Sequence, residues 1–238
     1  MTAAHERLIV ALDVPSTDAA RALIDRLGSS VGVYKIGLEL LFSGGFQLAR
    51  DLAGQGARVF VDAKLLDIET TVERATAAIA RTGARFLTVH ATDRKTLAAA
   101  VRGRGESPLK LLGVTVLTNL DNADLVQQGI DHSPRELALH RAMLAKEAGF
   151  DGVIASGREA AAIRDSAGSD FLIVTPGIRP QGSAKQEQAR AVSPGEAIAA
   201  GANYLVVGRP ITEAADPRAA AEAIVKEIAE AVNNSGPR

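Results

Sequence analysis

Asp62, Lys64 and Asp67 stand close together in the sequence, directly after the run Arg58 Val59 Phe60 Val61. Two-residue alternation in an extended strand turns Asp62 and Lys64 to one face and Val61 and Ala63 to the other. An acid and an ammonium then share one inward surface. Charges withdrawn from water are costly unless paired, so a lysine flanked by two aspartates suits a preorganised electrostatic device. The same residues also fit a structural ion pair at a strand end, with Asp67 as the N-cap of the next helix. The triplet alone leaves both readings open.

The elements that must position these groups follow from periodicity. Short β-branched runs at Leu8 to Asp13, Val33 to Gly37, Arg58 to Lys64, Phe86 to His90, Leu111 to Leu117, Gly152 to Ser156, Leu172 to Pro176 and Tyr204 to Val207 alternate with alanine-rich helical stretches, among them Ser16 to Leu27 and Glu39 to Gln55. Eight strand and helix pairs in 238 residues fit an α/β fold of the (β/α)8 TIM barrel type better than an open doubly wound sheet with a second domain. Pro15 Ser16 Thr17 Asp18 and Ser193 Pro194 Gly195 Glu196 each set a capping hydroxyl before an acid, the pattern of a helix entrance. No Gly/Ser-rich or Pro-rich tract divides the chain, so residues 1–238 are expected to form one domain. The polar, Gln-containing stretch from Arg179 to Val192 suits either a lid or a plain surface connection.

Barrel enzymes place their functional groups at the carboxyl ends of the strands. There the sequence puts Asp13 at strand one, Lys35 at strand two, Asp62 and Lys64 at strand three, His90 at strand four, and Thr115 and Thr118 at strand five. Ser156 closes strand six, Gly177 and Arg179 follow strand seven, and Gly208 and Arg209 follow strand eight. Asp13, Lys35, Asp62 and Lys64 can link into a ring of alternating charge that keeps every member ionised. Glycine permits close backbone approach and arginine is a bidentate donor, so the strand seven and eight residues suit a phosphate cradle.

Composition narrows the chemistry. The 27 basic and 28 acidic residues nearly cancel, which gives no reason to expect a nucleic-acid or membrane partner. The absence of cysteine excludes a disulfide framework, a thiolate nucleophile and a Cys-ligated metal. Aromatic content of 3% argues against base-stacking platforms. Met1 to Arg7 carries charges and lacks the apolar core of a signal peptide, and no window approaches a membrane-spanning length, so the cytoplasm is the expected location. His5, His132 and His140 lie away from the strand ends, which leaves His90 as a hydrogen-bonded supporting group. Ser156 lacks a Gly-x-Ser-x-Gly setting, and acids interleaved with lysines repel a divalent cation. What remains is a site without metal or thiol that binds a phosphorylated anion and works by electrostatics.

Ala11 Leu12 Asp13, Tyr34 Lys35 Ile36 Gly37, Asp62 to Ile68, Val89 His90 Ala91, Leu117 Thr118, Thr175 Pro176 Gly177 Ile178 Arg179, Gln188 and Val206 Val207 Gly208 Arg209 Pro210 Ile211 together resemble the orotidine 5'-monophosphate decarboxylases, in family order and over essentially the whole chain. The resemblance implies cofactor-free decarboxylation of orotidine 5'-monophosphate to uridine 5'-monophosphate. It implies Lys64 as the acid that protonates C6, Asp62 beside the departing carboxylate, and Asp13 and Lys35 at the ribose. Asp67 and Thr71 would reach the neighbouring subunit's site, which makes a homodimer the active form. Thr118 would contact the pyrimidine, and Arg179, Gln188, Gly208 and Arg209 would bind the phosphate and pyrimidine side under a closing loop. Leu65, the Glu69 Thr70 Thr71 that follows Ile68, and Glu187 before Gln188 depart from the familiar pattern at helix entry and in that loop. Two other readings stand beside it: a magnesium-dependent sugar-phosphate lyase of the hexulose-phosphate synthase group, and a phosphate-binding barrel without catalysis. The magnesium group carries a Glu on strand two where this chain has Lys35, and an ammonium cannot ligate a cation.

Overall fold

Strands too apolar to be left single and helices with one oily face have one economical arrangement, in which each covers the other. The computed structural model describes residues 2–180 and 192–234 and shows that arrangement. In chain order it contains β1 (Leu8–Ala11), α1 (Thr17–Leu27), β2 (Val33–Ile36), α2 (Leu38–Leu40), α3 (Phe46–Gly54), β3 (Val59–Leu65) and α4 (Glu69–Ala80). Then follow β4 (Phe86–His90), α5 (Arg94–Arg104), β5 (Lys110–Val114), α6 (Asn122–Gln127), α7 (Pro134–Glu147), β6 (Gly152–Ile154) and α8 (Gly157–Ala167). The chain continues through β7 (Leu172–Thr175), α9 (Pro194–Ala199), β8 (Tyr204–Val207), α10 (Arg209–Thr212) and α11 (Pro217–Asn234). Neighbouring strands pair in parallel and in sequence, and β8 returns to β1, so the sheet closes as a (β/α)8 TIM barrel.

The expected helix entrances are built as capping geometry demands. Ser16 Oγ accepts from the Ala19 N–H at 3.2 Å. Ser193 and Glu196 exchange reciprocal bonds of 3.2 Å and 2.7 Å. No helix among the described residues is long and apolar enough to cross a membrane.

Alternation along the strands sorts the barrel interior into levels. Ile9, Val33, Phe60, Phe86, Leu112, Val174 and Val206 fill its lower part, buried together. Phe60 and Phe86 meet edge-on at 6.0 Å, and Phe86 meets Tyr204 at 5.3 Å. Each such buried side chain contributes on the order of 2 kcal/mol. The next inward positions, two residues further along each strand, carry Lys35, Asp62 and Thr88. An apolar plug below therefore forces the polar groups to the carboxyl end.

Several element bounds differ from the periodicity reading, each for a physical reason. Glu39 to Gln55 is not one helix: the chain widens into a π-type turn over Leu41–Gly45, where Gly44 takes φ +95°, before α3 begins. β5 stops at Val114 rather than Leu117. Val116 instead joins Leu125, Leu137 and Ala138 in a separate apolar cluster beneath the following crossover. β6 ends at Ile154, because Ser156 already serves as the N-cap of α8. The Arg179 to Val192 stretch begins from a pinned base, with Ile178 bridged to Val192 and the Arg179 N–H donating to the Val192 carbonyl at 3.0 Å.

Candidate active site

β3 does not deliver its charges as a regular strand. Its register against β4 runs Phe60 to Phe86 and Val61 to Leu87, then jumps to Leu65 opposite Val89. The bulge between holds Asp62, Ala63 and Lys64, and Lys64 adopts φ +47°, a left-handed conformation that costs a non-glycine residue about 1 kcal/mol or more. Asp62 and Lys64 do face the same space, as alternation predicts. The bulge, rather than a straight strand, turns the lysine there.

The linked ring takes the form of a chain. Lys35 Nζ lies 3.1 Å from Asp13 Oδ1 and 3.4 Å from Asp62 Oδ2, and Lys64 Nζ lies 2.8 Å from the same Asp62 oxygen. Lys35 and Asp62 are each only 7% exposed, so the pairing is what permits their burial. Burial alone would raise the Asp62 carboxyl pKa, but the Lys35 and Lys64 ammoniums and hydrogen bonds from Lys64 and Thr88 outweigh it and hold the group below the ordinary aspartate value. Asp62 is a carboxylate at neutral pH.

These groups line one side of a cavity of about 370 Å³ whose other walls include Thr118, Gly177, Arg179, Gly208 and Arg209. Gly177 sits at φ +76°, which requires glycine. A Cβ at Gly208 would come only to 3.6 Å from Ala11 Cβ, so its missing side chain leaves room in the cavity rather than avoiding a clash. The Arg179 pKa is lowered by burial and by the neighbouring positive charge of Arg209. Two guanidiniums held close enough to repel one another favour an anion between them. Lysine chemistry at one end and guanidinium chemistry at the other fit an elongated, phosphorylated substrate.

Comparison with known proteins gives the site its family. The sequence model of the orotidine 5'-phosphate decarboxylase / HUMPS family matches residues 6–224. The chain belongs to that family. A protein named orotidine 5'-phosphate decarboxylase from Rhodopseudomonas palustris (strain BisA53) is 56% identical over 225 residues, which cover 94% of this chain and 95% of that protein. One of the same name from Caulobacter sp. (strain K31) is 53% identical over 226 residues, covering 95% and 98%. The crystal structure of orotidine 5'-phosphate decarboxylase from Lactobacillus acidophilus superposes with a TM-score of 0.81 at 38% identity, over 93% of this chain and 98% of that one.

Within the family frame, Asp13, Lys35, Asp62, Lys64, Thr118, Arg179, Gly208 and Arg209 meet in one cavity. Gln188 and the middle of the expected closing loop lie outside the described residues. Asp67 and Thr71 are exposed and stand apart from this cavity's lining. Asp67 is not the N-cap of α4 either: Ile68 holds that position, and the Asp67 carboxylate accepts from the Ile68 N–H at 2.6 Å. His90 was expected to be hydrogen-bonded, yet it makes no hydrogen bond among the described residues. Burial, Arg141 and Lys64 lower its pKa against the opposing pull of Asp62, so it is neutral at neutral pH. Reading by strand ends passed over Thr88, which is fully buried and bonded to both Asp62 and Lys64. Counting back two residues from His90 would have found it, a polar inward position in an otherwise apolar strand.

Proposed function

We propose that this chain converts orotidine 5'-monophosphate to uridine 5'-monophosphate and carbon dioxide, as a carboxy-lyase of pyrimidine nucleotide synthesis that needs no metal or cofactor. The observation that carries the reading is the Lys64 ammonium, paired at 2.8 Å with a buried carboxylate and facing the same cavity as Arg179 and Arg209. In the reaction the bond between C6 and the carboxylate breaks, its electron pair stays on C6, and carbon dioxide leaves. The Lys64 Nζ proton then passes to C6, and the resulting amine takes a proton from solvent. Loss of carbon dioxide leaves a carbanion with no conjugated sink, so a fixed ammonium must stabilise the charge as it develops. Removing one preorganised group of this kind commonly costs about 3 to 4 kcal/mol.

The remaining residues take roles by position. Asp62 lies where the departing carboxylate would meet it, Asp13 and Lys35 suit the ribose, and Thr118 suits the pyrimidine. Arg179, Gly208 and Arg209, with Gln188 by resemblance, suit the phosphate and the pyrimidine side. Phosphate binding far from the reacting carbon supplies energy for positioning and closure. Each carboxylate at the cavity floor already faces an ammonium, and a divalent cation would meet those like charges, which disfavours magnesium-dependent chemistry here.

A homodimer completes the reading, with Asp67 and Thr71 reaching the neighbouring subunit's site. Their exposure supports it, as does the apolar surface beside them, where Ile68 is 73% and Leu66 55% exposed. We place the enzyme in the cytoplasm. Chelator-treated protein should still consume orotidine 5'-monophosphate, followed as loss of its ultraviolet absorbance. Activity that vanished with chelator and returned with magnesium would favour a sugar-phosphate lyase mechanism, and a protein that bound the nucleotide without turnover would favour a passive phosphate-binding barrel.

A further inference from the structure

Three residues of β3, Asp62 to Lys64, face the single residue Thr88 across the bulge. A bulge leaves backbone groups without ladder partners, and a buried orphan N–H is expensive. Here the Lys64 N–H donates to Thr88 Oγ1 at 3.0 Å, and Thr88 Oγ1 lies 2.8 Å from Asp62 Oδ1. The direction of both bonds is forced. An amide N–H only donates and a carboxylate only accepts, so the one hydroxyl proton must point to Asp62. Asp62 Oδ1 is thereby committed to Thr88, which leaves Oδ2 for the two lysines.

We propose that Thr88 is a positioning residue for decarboxylation, its hydroxyl fixing both the Asp62 carboxylate and the left-handed Lys64 backbone so that the Lys64 ammonium meets the reacting carbon. This deepens the function proposed above and rests on it. The relay from amide to hydroxyl to carboxylate holds only while Asp62 is ionised, and each bond polarises the next. Thr88 does not line the cavity, so it acts through the two residues it holds and not on substrate.

Thr88→Val keeps the shape and removes the hydroxyl. The expected result is a kcat lower by about 10- to 100-fold, the loss of one hydrogen bond to a charged group, with little change in KM. In the unliganded protein the Asp62 carboxyl resonance, assigned by its disappearance in Asp62→Asn, should titrate about one pH unit higher. Thr88→Ser, which restores the hydroxyl, should recover most of the rate and the parent titration. Should Thr88→Val not fold, Thr88→Ala removes the same hydroxyl without its methyl bulk and carries the same readings. A variant that loses thermal stability while kcat and the Asp62 titration stay at parent values would overturn the proposal, as would failure of Thr88→Ser to restore them. If the parent chain does not decarboxylate orotidine 5'-monophosphate, the functional reading falls, and the ligand-free titration still decides whether Thr88 holds Asp62.

Discussion

Gly37→Ala separates the charge array from the fold that carries it. A Cβ at Gly37 would stand 2.9 Å from Lys35 Nζ and 3.0 Å from Asp13 Oδ1, well inside the ~3.5 Å at which non-bonded heavy atoms rest. The backbone there is at φ −91° and ψ −177°, which alanine adopts freely. What must yield is the tip of a lysine side chain. A retreat of about 0.6 Å stretches the Lys35–Asp13 contact to about 3.7 Å, past hydrogen-bond range. With an effective dielectric of about 20, Coulomb's law puts the weakening near 1 kcal/mol, and the lost charged hydrogen bond adds about 1 more after solvent screening at the exposed Asp13. A total of about 2 kcal/mol, expressed in the transition state, lowers kcat/KM by about 30-fold. The melting temperature should stay within about 3 °C of the parent, because no backbone moves and alanine restricts the unfolded chain. Steady-state kinetics and a thermal melt measure both, with Gly54→Ala as the control, since a Cβ there meets nothing within 4 Å. An unchanged kcat/KM in a well-folded Gly37→Ala protein would show that the placement of Lys35 does not set the rate, and the electrostatic account would fail.

Lys64→Ala should abolish turnover while nucleotide binding persists; an unchanged rate would remove Lys64 from the mechanism. Lys64→Gly should be equally inactive yet more stable than Lys64→Ala by about 1 kcal/mol in denaturant titration, because glycine relieves the left-handed strain; equal stability would mean that the positive φ stores none. Mixing inactive Lys64→Ala and Asp67→Ala chains should restore some activity, and no recovery despite demonstrated subunit exchange would count against a shared site. Asp62→Asn should lose about 3 kcal/mol of stability near neutral pH, since two ammoniums are left facing a neutral amide. Because the folded Asp62 pKa lies below its unfolded value, its stabilisation is present above the unfolded pKa and is lost as pH falls through the folded one. The gap between parent and variant should therefore close in acid, and a gap independent of pH would contradict the pairing.

Much of the barrel was legible because its strands are buried on both faces and its helices on one, and that difference is written in residue order. Boundaries were less legible where an apolar residue served something other than the sheet. Val116 extends the β-like run after β5 and yet packs under the crossover with Leu125 and Leu137. Gly44 breaks an otherwise continuous helical pattern by adopting a conformation that periodicity does not register. The charged residues were legible as a group, because acids and lysines at the ends of apolar strands have few structural uses. Their geometry was not.

The place where simple alternation works for the wrong reason is also the place where chemistry is expected. Asp62 and Lys64 share a face through a bulge and a strained φ, and not through a regular strand. A fold selected for stability alone would straighten β3 and recover that strain, since neither the bulge nor the buried charges improve packing. Strain of this kind persists only where surrounding contacts over-determine it. Here the contacts are the lysine pairs on one Asp62 oxygen and the Thr88 hydroxyl on the other. The ammonium is thus held in place before any substrate arrives, which is the condition under which a fixed charge lowers a barrier instead of reorganising to meet it.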